Sequence, residues 1–275
     1  MRPDDFLKGK DGYLTQSISF DRAAEFYDRT RKYPPEVSAQ IADSVVRLVP
    51  AQARLLEVGI GTGRIAKPLM ARGLNVAGVD LSRRMMEKLA ATLPEGWPKP
   101  QIAQANAAYL PLQSRVFEAV VAVHVFHLIA EWHRALEEIQ RVLQPGGMLL
   151  AGHDGREPDS AHKRLRAHWS TIVNAYTQKT EQPGVHDFEE MFRILKQSGA
   201  DMDEIMATEW VSDFNLAGYI ESLEKRIYSS TWRVPPEILP ECVAELRAWA
   251  RDEFGSLDKT YQVKRGFVWQ RFRWL

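Results

Sequence analysis

The stretch Arg54-Leu-Leu-Glu-Val-Gly-Ile-Gly-Thr-Gly-Arg64 decides how this chain is read. Arg54 to Val58 is a short apolar run broken by one acid, as expected of a strand covered on both faces. Glycines at 59, 61 and 63 follow. They permit positive φ and let a ligand approach the backbone where a Cβ would obstruct it. Ile65-Ala-Lys-Pro-Leu-Met-Ala71 then starts a helix. Pro68 is tolerated near the start of that helix, and Gly73 suits its end. The free N–H groups of the helix's first turn face whatever the glycine turn holds. A carboxylate inside an apolar strand is costly without a partner, so Glu57 is read as functional. The turn predicts a site for a nucleotide-like ligand. A dinucleotide site wants Gly-x-Gly-x-x-Gly/Ala, and the third small position is here the large, charged Arg64, which disfavours that ligand.

Working outward, Asn75–Val79 is the next strand, and Asp80 ends it. A carboxylate there can accept hydrogen bonds from two ribose hydroxyls, in either kind of nucleotide site. Ser82 is a good N-cap for a helix over Arg83–Leu93. Strands follow at Ile102–Ala105, Phe117–Val123 and Met148–Gly152, with a helix over Trp132–Leu143 stopped by Pro145-Gly146-Gly147. This alternation predicts an α/β, Rossmann-like, doubly wound sheet with its ligand outside the C-terminal strand ends. Upstream lie a polar lead-in, a helical pattern from Asp21, the breaker Pro34-Pro35, and a helix carrying Val37, Ile41, Val45 and Val46. Downstream of Gly152 the regularity breaks. Polar helical segments are expected at 159–182, 188–198 and 216–226, with a candidate sixth strand at Ile205–Val211. Tyr228-Ser-Ser-Thr-Trp232 reads as an aromatic lid loop, Pro235–Phe254 as a long amphipathic helix, and Phe267–Trp274 as an antiparallel closing strand. The expected organisation is N-terminal helices over 1–50 and a core over 51–154. A helical cap over 155–235 and a closing helix and strand over 236–275 complete it.

The stretch from Glu57 to Gly63 resembles motif I of class I S-adenosylmethionine-dependent methyltransferases, which is an acid, a spacer and Gly-x-Gly-x-Gly. Four further stretches resemble the same family in the same order: Phe20–Asp28, Asn106-Ala107-Ala108-Tyr109-Leu110-Pro111, Val123–Leu128 and Arg141–Leu150. The first points to the ubiquinone-biosynthesis-like branch, the methyltransferase types 11 and 25. The resemblance covers roughly residues 18–152. It implies that Glu57 helps hold the methionine moiety of S-adenosyl-L-methionine, that Gly59, Gly61 and Gly63 border it, and that Asp80 and Leu81 meet the ribose. It further implies that Asn106 and Ala107 meet the adenine and that Tyr27 covers the pocket. Asn106 stands where the family has an acid, and its amide oxygen still accepts a hydrogen bond. The resemblance implies too that His124 lines the cofactor and that His124 and His127 face the acceptor as candidate catalytic groups. Methyl transfer in such a site is an in-line displacement that depends on alignment. The alternatives are a protein that binds the cofactor without turnover and, less favoured, a nucleotide-cofactor oxidoreductase.

Composition bounds the rest. Lys+Arg and Asp+Glu both number 36 in 275 residues, so the net charge is zero and no field draws the chain to nucleic acid or an anionic membrane. Lys163-Arg164-Leu165-Arg166 and Arg83-Arg84 read as solvated helix faces. The single cysteine, Cys242, excludes an internal disulfide and reads as a buried thiol. No metal site is expected. The N-terminus lacks an apolar signal core, and no apolar run reaches the length of a membrane span. The expectation is a cytoplasmic enzyme, monomer or homodimer, acting on a small-molecule acceptor.

Overall fold

The computed structural model describes residues 17–177, 183–232 and 234–274. The polar lead-in therefore lies, up to residue 16, outside the described residues. The described chain forms two compact units. The first comprises residues up to 153 with 182–208 and 267–275, and the second comprises 154–181 and 209–266.

The first unit begins with a 3-10 turn at Asp21–Ala23, a short helix α1 (Tyr27–Arg31) and α2 (Pro35–Val46). Then β1 (Arg54–Val58), α3 (Ala66–Met70), β2 (Asn75–Asp80), α4 (Arg83–Ala91) and β3 (Gln101–Gln104) alternate. β4 (Phe117–Val123), α5 (Trp132–Val142) and β5 (Leu143–Arg156) continue the pattern. The register is parallel throughout this half: Leu56 of β1 faces Ala77 of β2 and Val120 of β4, and Val121 of β4 faces Leu150 of β5. β1 is central, and Leu55 and Leu56 are fully buried. Burial of each contributes about 2 kcal/mol, the usual scale for a leucine side chain.

Pro145-Gly146-Gly147 does not stand before β5 as a separate stop. The strand starts directly at Leu143, and pairing with β4 jumps from Phe117↔Leu143 to Ala119↔Met148. The extra residues of β5 are taken up as an irregularity, where Gly146 has φ 77°. After α6 (Ala161–Tyr176) come α7 (Phe188–Gln197), β6 (Ala200–Asn215), α8 (Leu216–Glu224), α9 (Leu239–Phe254) and β7 (Thr260–Trp274). Among the described residues the sheet has seven strands in the order β3-β2-β1-β4-β5-β7-β6, with the last strands antiparallel. β6 is much longer than the Ile205–Val211 segment read from sequence, and β7 is longer than Phe267–Trp274. Trp269, Phe267 and Phe272 of β7 are fully buried, and Trp269 Nε1 donates to Ser44 Oγ of α2 at 2.8 Å.

The second unit has its own core. Leu165, Trp169 and Ile172 of α6 pack with Leu216, Ile220 and Leu223 of α8 and with Cys242, Leu246 and Ala250 of α9. Two differences from the sequence division follow. α9 packs in this helical unit rather than with the sheet, whereas α7 and the first half of β6 belong to the first unit. Tyr228–Trp232 is a tied turn rather than an open loop: Trp232 Nε1 donates to Arg226 O at 2.7 Å, and Arg226 donates back to Trp232 O at 2.8 Å. Thr231 within it is fully buried. Cys242 is buried, which pushes its thiol pKa up, so it is an inert structural group.

Candidate cofactor site

The C-terminal ends of β1, β2 and β4 open onto one cleft in the first unit. It holds about 680 Å³ of empty space, its open mouth included. Of the candidate residues, Tyr27, Gly59, Gly61, Asp80, Leu81, Asn106, Ala107 and His124 line it together. Glu57 lies beneath, 3% exposed. Gly63 and His127 are not among the lining residues.

The glycine turn shows what each glycine does. Gly59, Gly61 and Gly63 have φ of 77°, 52° and 78°, where a side chain is strained. At Gly59 a Cβ would also lie 2.8 Å from Val125 Cγ2, so the loop after β4 can close on the turn only because the side chain is missing. At Gly63 it would lie 2.5 Å from Leu89 Cδ1 of α4. Gly63 therefore also serves the packing of the turn on α4.

Asp80 does two jobs. Its Oδ2 accepts from Gly61 N at 2.8 Å and its Oδ1 from Ser82 N at 2.7 Å, so it fixes both the glycine turn and the entry to α4. A Leu81 N–H also bonds this carboxylate, and its remaining acceptor capacity is open to a ligand hydroxyl. Burial raises its pKa. The N–H groups of Ser82 and Gly61 counter this, Asp21 adds to it, and the net result is upward.

Glu57 is the most constrained group of the site. Burial drives its pKa well above the ordinary glutamate value. The Arg64 charge opposes this, the Asp80 charge adds to it, and a backbone hydrogen bond from Ala66 opposes it. Its Oε2 is buried without a hydrogen-bond partner. Arg64, the residue that disfavours a dinucleotide, thus has a local task. It faces Glu57 electrostatically, donates to Arg31 O at 3.0 Å, and lies 4.7 Å from the Tyr33 ring centre.

An N-terminal strap, which includes the Phe20–Asp28 stretch, borders the cleft. Ile18 and Phe20 line it, and Phe20 meets Tyr27 edge-on at 5.9 Å. The strap is fastened at several points. Ile18 N donates to Leu128 O at 3.0 Å, Ser82 Oγ to Asp21 Oδ1 at 2.6 Å, and Thr62 Oγ1 to Asp28 Oδ1 at 2.5 Å. Burial works against the Asp21 charge. The hydrogen bonds from Ser82, Arg84 N and Ser19, with the Arg84 charge, outweigh it and lower the pKa. Met85, Val58, Val79 and Ile129 complete the apolar walls. Val58 and Val79 sit in the strands read around the glycine turn and Asp80; of the others, the α4 spacing, which points Met85 back over the turn, is the only signal.

His124 has φ 52°, a left-handed conformation rare for a residue with a side chain. Its N–H donates to Gly152 O at 3.2 Å, which ties the residue just past β4 to the neighbouring strand β5. Asn106 Oδ1 accepts from Ala108 N at 3.0 Å, an Asx turn that leaves its amide NH₂ and one acceptor lone pair toward the cleft. His127 sits on the 3-10 turn Phe126–Leu128, where its carbonyl accepts from Gly184 N at 3.1 Å. Among the described residues no group of three or more His, Cys, Asp or Glu side chains is placed to hold a metal ion. No described helix is long and apolar enough to cross a membrane.

Comparison with known proteins agrees with this geometry. Residues 56–151 match the family model described as a methyltransferase domain. An uncharacterized methyltransferase of Mycobacterium tuberculosis is 36% identical over 135 residues, covering 48% of this chain and 51% of that one. The chain thus spans about half the length of the first curated relatives that it matches. A malonyl-[acyl-carrier protein] O-methyltransferase of Halorhodospira halophila is 28% identical over 91% of this chain and 85% of its own. Among solved structures, the YcgJ protein from Bacillus subtilis superposes with a TM-score of 0.58 at 16% identity, over 85% of this chain and 97% of that one. The cyclase SpnF shares the fold with a TM-score of 0.55 at 18% identity, over 94% and 97% of the two chains. The stretch that matches, residues 56–151, is thus similar to a methyltransferase domain, and the cofactor indicated for it is S-adenosylmethionine.

Proposed function

We propose that this chain transfers a methyl group from S-adenosylmethionine to a small-molecule acceptor. One observation carries the reading. A buried carboxylate with an unpartnered oxygen, Glu57, lies under a glycine turn, and a second carboxylate, Asp80, closes the same cleft at the end of the neighbouring strand. That set fits a ligand with a cationic amino-acid end and a ribose. Glu57 is the group to meet the ammonium, directly or through water, and Asp80 the ribose hydroxyls. Asn106 and Ala107 border the space for the base.

The bound cofactor would supply an activated methyl on a sulfonium, so the protein need not generate a strong electrophile. The tasks left to this chain are alignment and water exclusion. Phe20, Tyr27, Leu128 and Ile129 supply apolar wall around the cleft. His124 is a cleft-lining imidazole, and we assign it the role of taking the proton from acceptors whose proton must leave. His127, outside the lining, is proposed to meet the acceptor rather than the cofactor. The strap and the sheet core are proposed to act as one cofactor-binding module, with acceptor choice residing in the helical segments.

Relatives named for malonyl-[acyl-carrier protein] and demethylmenaquinone substrates support a small or carrier-linked acceptor. The zero net charge supports a protein without a nucleic-acid partner. One observation favours a second reading, a cofactor-binding protein without methyl transfer: the same fold occurs in a cyclase. Calorimetry with S-adenosylhomocysteine and with NADH tests the first step. S-adenosylhomocysteine is expected to bind and NADH is not, and the reverse result sinks the reading. Methyl-label transfer across a panel of acceptors then separates enzyme from binding protein.

A further inference from the structure

The second unit holds a cluster of buried polar groups that methyl transfer at the glycine turn does not use. Asp154 and Arg156 are two residues apart on β5, and so share a face. Arg265 stands on β7 and His162 on the first turn of α6. Arg265 pairs with Asp154, the two side chains being 19% and 10% exposed, and its guanidinium lies 4.7 Å from the Trp210 ring centre. That pair matches one positive charge with one carboxylate. The Arg265 Nε is buried and finds no hydrogen-bond partner.

Arg156 brings a second guanidinium to the same place. It is half-buried, and burial together with the Arg265 charge pulls its pKa down, while Asp154 only partly compensates. His162 completes the cluster. It is 7% exposed, walled edge-on by the rings of Phe214 at 5.0 Å and Tyr219 at 5.1 Å, and its Nδ1 has no hydrogen-bond partner. Burial, then the charges of Arg156, Arg166 and Arg265, lower its pKa to about 3, so it is neutral at neutral pH.

Buried charges are ordinarily paired, because an uncompensated one carries a desolvation penalty of several kcal/mol. Two guanidiniums facing one carboxylate leave an excess positive charge beside an imidazole nitrogen and a guanidinium N–H that both lack partners. A guanidinium fork suits the two oxygens of a carboxylate or phosphate, and a neutral imidazole in the right tautomer donates one more hydrogen bond. We propose that Arg156, Arg265 and His162 form a binding site for an oxyanion, the carboxylate or phosphate group of a small molecule. The site lies within the second unit and does not depend on the reading of the first.

The test is equilibrium binding to the full chain at fixed ionic strength, with inorganic phosphate and with succinate as probes and chloride as the control. Wild-type protein is expected to bind one probe saturably; phosphate alone marks a phosphoryl ligand, and succinate alone a carboxylate. Arg156→Gln is expected to weaken that binding by about tenfold or more, as for a lost charge-assisted hydrogen bond, with S-adenosylhomocysteine affinity unchanged as the check on folding. A second readout needs no variant. In ¹³C-histidine-labelled protein the bound probe should raise the His162 pKa, because the anion offsets the arginine charges. No saturable binding beyond chloride, or a bound probe that leaves the His162 pKa unmoved, overturns the proposal.

Discussion

At the scale of single residues, the free-energy weight of the cofactor site falls on Glu57. A carboxyl held well above its ordinary pKa by burial keeps its proton over a range where it would be ionised in water. In the free protein this lowers stability as pH rises between the ordinary glutamate value and the raised folded one, because the folded state then binds more protons than the unfolded chain. A cationic ammonium placed on Glu57 reverses the preference. Within that pH window, binding of S-adenosylhomocysteine is therefore expected to release a proton, read as a binding enthalpy that depends on the ionisation enthalpy of the buffer. Glu57→Gln is expected to abolish that dependence and weaken binding; a buffer-independent enthalpy in the wild type would remove the ammonium role. His124 offers a second test. Glycine suits φ 52° better than histidine does, so His124→Gly is expected to leave stability unchanged or raise it by up to about 1 kcal/mol while lowering turnover. A variant of full activity would clear His124 of any part in the transfer. For Asp80, Asp80→Asn is expected to keep one acceptor oxygen and fold. Asp80→Ala is expected to lose about 1.5–3 kcal/mol of cofactor affinity, part of it through a loosened Gly61 turn.

At the scale of elements, the strap over Ile18–Asp28 is tied to the nucleotide side of the sheet by side chains that the cofactor reading alone would not predict. Asp21 joins the Ser82 hydroxyl to the Arg84 N–H at the start of α4, and Asp28 takes the Thr62 hydroxyl from the glycine turn. Asp21→Ala is expected to cost about 1 kcal/mol of stability, measured by urea unfolding. The sign with pH is opposite to that of Glu57. A carboxylate with a depressed folded pKa stabilises above the ordinary aspartate value, and that contribution is lost as pH falls through the depressed one. The Asp21→Ala deficit should therefore shrink in acid. The strap also shows why some elements were legible in the sequence and others were not. β1, β2 and β4 are near-continuous apolar runs ended by turn chemistry, so Glu57, the glycines and Asp80 could be placed by spacing alone. β6 alternates exposed and half-buried positions along its length, which gave no apolar run to mark its ends. α9 reads as amphipathic in either location, because an apolar stripe does not name its partner. Ile18 enters the cleft only through tertiary packing, which no local pattern encodes.

At the scale of the whole chain, the cleft-lining residues all belong to the first unit, and the second unit has a separate core of α6, α8 and α9. Ligand that binds only the folded protein stabilises by mass action, by about 2.7 kcal/mol when its concentration is a hundredfold above Kd. That stabilisation acts on whatever must unfold to release the ligand. S-adenosylhomocysteine is therefore expected to slow hydrogen exchange at amides of β1, β2 and the turn after β4, all of which border the cleft. Amides in the interior of α6 and α9 should respond only if the two units unfold as one. Exchange measured with and without the ligand separates the cases. Equal protection of α9 and β1 would show a single cooperative transition and make one melting temperature meaningful for the chain. Protection confined to the first unit would show that the helical unit opens independently, and stability changes from variants at Asp21 or Asp80 would then have to be read from probes in the first unit alone.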